Sequence, residues 1–149
     1  MEQIDREKAQ RVWQRVQARQ PQSPPATNLS LGPEGFVLEE LTDGQVLLQL
    51  ARQSKDDALL RQLATQGQSR AGVLKGICRL AGLTAPSIIP KAGRQDNPQA
   101  TYRRLMGRLL RRHKQYHSLC EHEEFGPLYA HLTHHTRDSA VLLAQIIGK

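Results

Sequence analysis

Aromatic side chains are scarce in this chain. Only 4% of its 149 residues are Phe, Trp or Tyr, with Trp13 the single tryptophan. A core built from so few rings has to come from Leu, Ala, Ile and Val. Cysteine is scarcer still. Cys78 and Cys120 are too few for a disulfide framework and read as free thiols of a cytosolic chain. No segment approaches the ~20 consecutive apolar residues of a membrane span. The opening Met1-Glu2-Gln3-Ile4-Asp5-Arg6 lacks the apolar centre of a signal peptide, so a cytoplasmic location and no membrane partner are expected. Strand-like alternation of useful length is missing, as are a Gly-rich phosphate loop and a helix-turn-helix signature.

What is present is helical periodicity. Apolar residues make up only 38% of the chain, but they fall in stripes, which favours a small globular fold over a disordered one. Residues 2–18 carry a thin stripe of Ile4, Ala9, Val12, Trp13 and Val16, as in a helix laid against another surface, and Pro21 to Asn28 breaks it as a linker. Helix A is expected from Pro33 to about Gln53, on Phe36, Val37, Leu41, Leu47, Leu48, Leu50 and Ala51. A capping box at Thr42-Asp43-Gly44-Gln45 offers a later start. Helix B carries Leu59, Leu60, Leu63, Leu74, Ile77, Cys78 and Leu80 and stops near Gly82.

A long connection with Pro86, Pro90 and Gly93 follows. Asn97-Pro98 then supplies a cap and a first-turn proline for helix C, on Tyr102, Leu105, Leu109, His113, Tyr116 and Cys120. Glu123 to Pro127 opens helix D, on Phe125, Leu128, Tyr129, Leu132, Thr136, Ser139, Leu143 and Ile146, closed by Gly148. The expected fold is all-α: two antiparallel helical hairpins joined by a crossover over residues 33–149, preceded by an N-terminal helix and Pro-rich linker over 1–32.

Two segments share one frame. Leu63-Ala64-Thr65-Gln66-Gly67-Gln68-Ser69-Arg70-Ala71-Gly72-Val73-Leu74 and Leu132-Thr133-His134-His135-Thr136-Arg137-Asp138-Ser139-Ala140-Val141-Leu142-Leu143 both run from Leu and a small residue to a Leu eleven positions later. With Glu40, Leu47 and Leu50-Ala51 in helix A, and Phe125-Gly126-Pro127-Leu128-Tyr129 opening helix D, this phrasing resembles the ferritin-like superfamily, in particular its rubrerythrin-type bacterial domains. The resemblance covers roughly residues 33–148. It implies a four-helix bundle with a di-iron site made by a Glu from each of two helices and Glu-x-x-His from each of the other two.

The chain departs from that pattern at nearly every ligand. Glu40 stands at the helix A position. Leu109 takes the helix C position, seven residues before Tyr116. Gly67 and Arg70 take the helix B positions, and Thr136 and Ser139 those of helix D. One carboxylate beside a guanidinium cannot neutralise two metal cations, so no cofactor is expected. A buried Glu40 instead needs a counter-charge, for which Arg70 is a candidate partner. The alternative leaves Arg70 turned outward and Glu40 solvated.

Three other constellations are present. All six histidines lie between His113 and His135. A relocated metal site from Glu40, His113 and His135 would make this a metal-binding or redox protein. The chain carries 21 Lys and Arg against 14 Asp and Glu. Arg104, Arg108, Arg111 and Arg112, flanked by Arg103 and Lys114, suggest an outward stripe on helix C for an anion or nucleic acid. Cys120 with His117 and Glu121, and Ser139 with His135 and Asp138, lack the surroundings of a catalytic nucleophile. The leading expectation is a non-catalytic structural or interaction module, paired with a protein partner or with a second copy.

Overall fold

The computed structural model describes residues 32–55 and 57–148. The expected helix over residues 2–18, its linker and Trp13 lie outside the described residues. Among those described there are four helices and no strand: α1 (Pro33–Gln53), α2 (Asp57–Leu80), α3 (Pro98–Ser118) and α4 (Gly126–Ile147). The all-α class is therefore what the chain adopts, and no described helix is long and apolar enough to cross a membrane.

Local chemistry sets most of the helix ends. Pro33 and Pro127 sit in the first turns of α1 and α4, where a missing N–H costs nothing. The Asn97 side chain accepts a hydrogen bond from the Ala100 amide at 3.1 Å, with Pro98 in the first turn of α3. At the end of α2, Gly82 takes φ +73°, the Leu83 amide reaches back to the Cys78 carbonyl at 2.8 Å and the Gly82 amide to that of Arg79 at 3.3 Å. This is a Schellman turn. The acids Glu123 and Glu124 do not enter the first turn of α4. The entry is held instead by His122, whose Nδ1 accepts from the Glu124 and Phe125 amides, both at 3.1 Å.

The helix that had two possible starts runs without interruption from Pro33, so Thr42 lies inside it rather than capping it, and Asp43 is buried. Two stripe residues are misplaced by sequence. Leu80 is 74% exposed, because its position in the last turn is off the Leu74, Ile77, Cys78 face. Leu128, in the first turn of α4, is exposed. His113 is half-buried at the side of α3, and Cys120 lies half-buried beyond its end.

Each helix packs against two others: α1 against α2 and α3, and α4 against α2 and α3. All four contacts are antiparallel. Glu40 of α1 meets Arg70 of α2. Phe36 meets Tyr116 while Asp43 meets Arg108, so advancing along α1 runs backward along α3. Tyr116 meets Tyr129, whereas Leu105 and Leu109 share a void with Ser139 and Leu143. This arrangement makes α2 and α3 point the same way. Residues 83–97, without helix or strand, carry the chain back along the helices. The Gln53 side chain anchors the returning strand of chain, donating to the Gln95 carbonyl at 2.8 Å and accepting from its amide at 2.9 Å. One end of the core is apolar, with Leu47, Leu50, Leu60, Leu63, Tyr102, Leu105, Leu143 and Ile146.

Two glycines are expected to respond in opposite senses to the same change. A Cβ on Gly44, buried inside α1, would meet nothing within 4 Å. Gly44→Ala should stabilise the chain by about 0.5–1 kcal/mol through helix propensity. A Cβ on Gly126 would collide with the Cys120 carbonyl, so Gly126→Ala should destabilise. Urea unfolding of both variants checks the two signs.

Candidate functional site

The acids of α1 are spaced to share its inner side. Glu40 and Asp43 lie three apart, in phase with Phe36 and Leu47, and both are buried. On α3 the stripe Leu105, Leu109, Arg112, Tyr116 steps by three and four, which carries Arg112 inward with its apolar neighbours. Arg70 lies in the same position on α2, between Leu63 and Leu74. Ser139 occupies the corresponding place on α4. Four helices thus bring polar groups to one level of an otherwise apolar interior.

The candidate pair of Glu40 and Arg70 is formed. Arg70 Nε donates to Glu40 Oε2 at 2.7 Å and its Nη2 to Oε1 at 3.2 Å, with the two side chains 3% and 1% exposed. It is one edge of a larger network. Tyr116 donates its hydroxyl to Glu40 Oε2 at 2.8 Å, and Arg112 Nη2 stands 3.4 Å from Oε1. Arg70 Nη1 donates to Ser139 Oγ at 2.6 Å, and the Ser139 hydroxyl in turn donates a hydrogen bond to Gln66 Oε1 at 2.6 Å. The same Nη1 lies 3.1 Å from His135 Nδ1. Because a guanidinium can only donate, His135 Nδ1 is the acceptor and its proton sits on Nε2.

Charge balance explains how this network survives burial. Glu40, Asp43, Arg70 and Arg112 are all buried, two anions against two cations. Burial alone would raise the Glu40 pKa. The charges of Arg112 and Arg70, with hydrogen bonds from Arg70 and Tyr116, outweigh it and hold the carboxyl below its ordinary range. Tyr116 is pushed far up, by burial and then by the adjacent Glu40 charge, and so remains a donor. Arg112 stays charged, because Glu40 and Asp43 overcome the cost of its burial.

Arg112 Nη1 is 2.6 Å from Asp43 Oδ2, a close charge contact that is not aligned as a hydrogen bond. Arg112 Nε has no partner. Arg108 closes the other Asp43 oxygen at 2.7 Å, and Arg111 pairs with Glu39 at 2.6 Å nearer the surface. The void beside these groups is about 10 Å³, lined by Gly44, Leu47, Gly67, Leu105, Leu109 and Leu143 among others. That is room for roughly one water molecule.

Of the positions singled out in the sequence, Glu40, Gly67, Arg70, Leu109 and Ser139 all border this void. Thr136 is fully buried on α4 but does not line it, and its hydroxyl has no partner. The candidate metal set does not assemble. His135 turns toward α2, His113 lines an outer groove with Arg137 and Val141, and Glu40 is consumed by its cations. Among the described residues no group of three or more His, Cys, Asp or Glu is placed to hold a metal ion.

The outward basic stripe is also corrected. Arg112 is 1% exposed, and Arg108 and Arg111 are paired to acids of α1. Arg104, at 3.4 Å from the Gln95 side chain, and the half-exposed Arg111 are what remain at the surface. The acids of α1 that neutralise this face sit far away in sequence, which is why the stripe looked free. Cys78 is buried, and burial together with the nearby Glu34 charge pushes its thiol up, away from reactivity. No protein family, curated protein or solved structure matches the chain.

Removing one member of the buried pair should be severe and removing a surface one mild. Arg70→Met strands Glu40 next to a single guanidinium and should cost about 3–5 kcal/mol, whereas Arg111→Ala, at a side chain 52% exposed, should cost under about 1 kcal/mol. Denaturant unfolding of each variant measures both.

Acid should act in two windows. Burial, then the charges of Arg70 and His131, lower the His135 pKa from its ordinary 6.5. The unfolded chain therefore binds that proton first, and stability falls as pH drops below about 6.5 toward the folded value. Glu40, also lowered, adds a second loss as pH falls below about 4.5. A pH series of unfolding curves should lose the first step in His135→Asn. An NMR titration should show His135 neutral, with the Nε2–H tautomer, at pH 7.

Proposed function

We propose that this chain is a ferritin-like four-helix bundle whose di-iron positions have been converted into a structural ion-pair network, leaving a non-catalytic structural or interaction module. The observation that carries this reading is the state of Glu40. Its carboxylate, the one acid at the six positions the resemblance implies, is bound by two guanidiniums and a phenol. The up-down-down-up course of the helices, with the returning connection over residues 83–97, supports the same reading.

The residues present do not fit a di-iron pair. Two iron ions need several carboxylates to neutralise and bridge them. Here the neighbouring positions are Gly67, Leu109, Thr136 and Ser139, and Arg70 and Arg112 put positive charge where cations would sit. A site of this composition stabilises an anion that belongs to the protein itself, and it holds four helices in register without exposing a reactive group.

Metal analysis of untagged protein incubated in turn with iron, manganese, zinc and copper tests the proposal. The expected result is a small fraction of an equivalent for every metal, with thermal stability unchanged by each. Stoichiometric metal retained through gel filtration, and lost in Glu40→Gln, would overturn it.

A further inference from the structure

The outer side of α3 and α4 carries a groove of about 380 Å³ lined by Met106, Leu110, His113, Arg137, Ala140, Val141 and Ala144. Leu110 and Val141 are each 54% exposed, so two branched side chains stand in water side by side on a unit with a modest apolar content. No acid lines the groove. Its cations are uncompensated as well. Arg137 lines it, and Arg103 and Lys114 share the α3 face, three residues before Met106 and four after Leu110. Among the described residues these three have no ion pair or hydrogen bond. The neighbouring acid Asp138, three residues before Val141 on α4, does not line the groove, and one acid beside Arg103, Lys114 and Arg137 leaves the border in positive excess.

The contrast with the opposite side of α3 is informative. There Arg108, Arg111 and Arg112 are each matched by acids of α1. One face of α3 is neutralised by an amphipathic helix bearing Glu39, Glu40 and Asp43. The other face offers the same pairing of an apolar seam with a basic border, and among the described residues no helix lies upon it. We infer that the α3–α4 groove is a docking site for an acidic amphipathic helix of a protein partner.

The dimensions suit such an occupant. Met106 to His113 spans two helical turns, about 10 Å, which accommodates apolar anchors at i, i+3/i+4 and i+7. Acidic side chains flanking those anchors would meet Arg103, Lys114 and Arg137. A second copy of this chain is a poor occupant, since a symmetric pairing would set these basic borders against each other. A flat anionic membrane would rest on the border but leave a concave seam unfilled. The inference rests on the interaction-module reading above and names the chemistry of the partner.

The test uses the full chain and a synthetic acetylated helix of about 18 residues, with Leu at the anchor positions and Glu on the flanks. A twin with Lys for Glu and vesicles of phosphatidylcholine with phosphatidylglycerol are run in parallel. Expected is saturable binding of the acidic helix that weakens with salt. It should weaken roughly tenfold or more in Leu110→Glu and in Val141→Glu, and severalfold in Arg137→Glu. Arg104→Glu, outside the groove, should leave it unchanged.

Several results would overturn the inference: no binding of the acidic helix, equal binding of the Lys twin, or binding insensitive to Leu110→Glu. So would capture by vesicles in place of the helix, or a dimer that Leu110→Glu dissociates. Metal content measured on the same samples keeps the two proposals apart. Metal-free protein that ignores the acidic helix sinks the docking site alone, and metal-loaded protein sinks the module reading.

Discussion

A carboxylate taken out of water must be given positive charge and hydrogen bonds, or it will not stay ionised. Glu40 imposes that condition on this molecule, and much of the helix packing follows from it. Arg70 has to come from α2, Arg112 and Tyr116 from α3, and Ser139 from α4 to secure the far side of Arg70. The network therefore specifies which level of each helix faces which. Apolar packing alone is more permissive, since Leu stripes tolerate a shift of one turn more readily than a bidentate guanidinium does.

The same network shows why a buried charge cluster need not signal chemistry. Its two buried acids are balanced by two buried cations, the phenol is held protonated and the void beside it is small. Perturbed ionisation in an enclosed site often marks catalysis. Here the perturbations run toward fixed charges: Glu40 is harder to protonate, and Arg112 and Tyr116 are harder to deprotonate. Groups locked in this way cannot exchange protons near neutral pH. Among the described residues, the apolar and basic surface that this network leaves uncovered lies on the outer side of α3 and α4.

Parts of this site were legible before any coordinates. A buried acid needs a counter-charge, which makes Arg70 one candidate partner for Glu40, and the two are paired. Arg112 was misread as an outward residue of a basic stripe. The signal that corrects it lies in the sequence: Leu105, Leu109, Arg112 and Tyr116 step by three and four, so Arg112 is in phase with the core. Charge argued against burial and outweighed periodicity. The capping box from Thr42 to Gln45 offers a later helix start, but Asp43 within it lies three residues after Glu40 and so faces inward on a helix that begins at Pro33.

Helix existence and approximate bounds came from sequence alone, because stripe periodicity, prolines at first turns, the Asn97 cap and the Gly82 stop are all local signals. The all-α class follows from them. How the two hairpins face each other, which arginines of α3 are neutralised, and where His113 and His135 point were decided only in the tertiary structure. Those outcomes depend on partners distant in the chain: Arg108 and Asp43 are 65 residues apart, and Arg70 and Ser139 are 69 apart. Local periodicity tells a residue which side of its helix it is on. Only packing tells it what stands opposite.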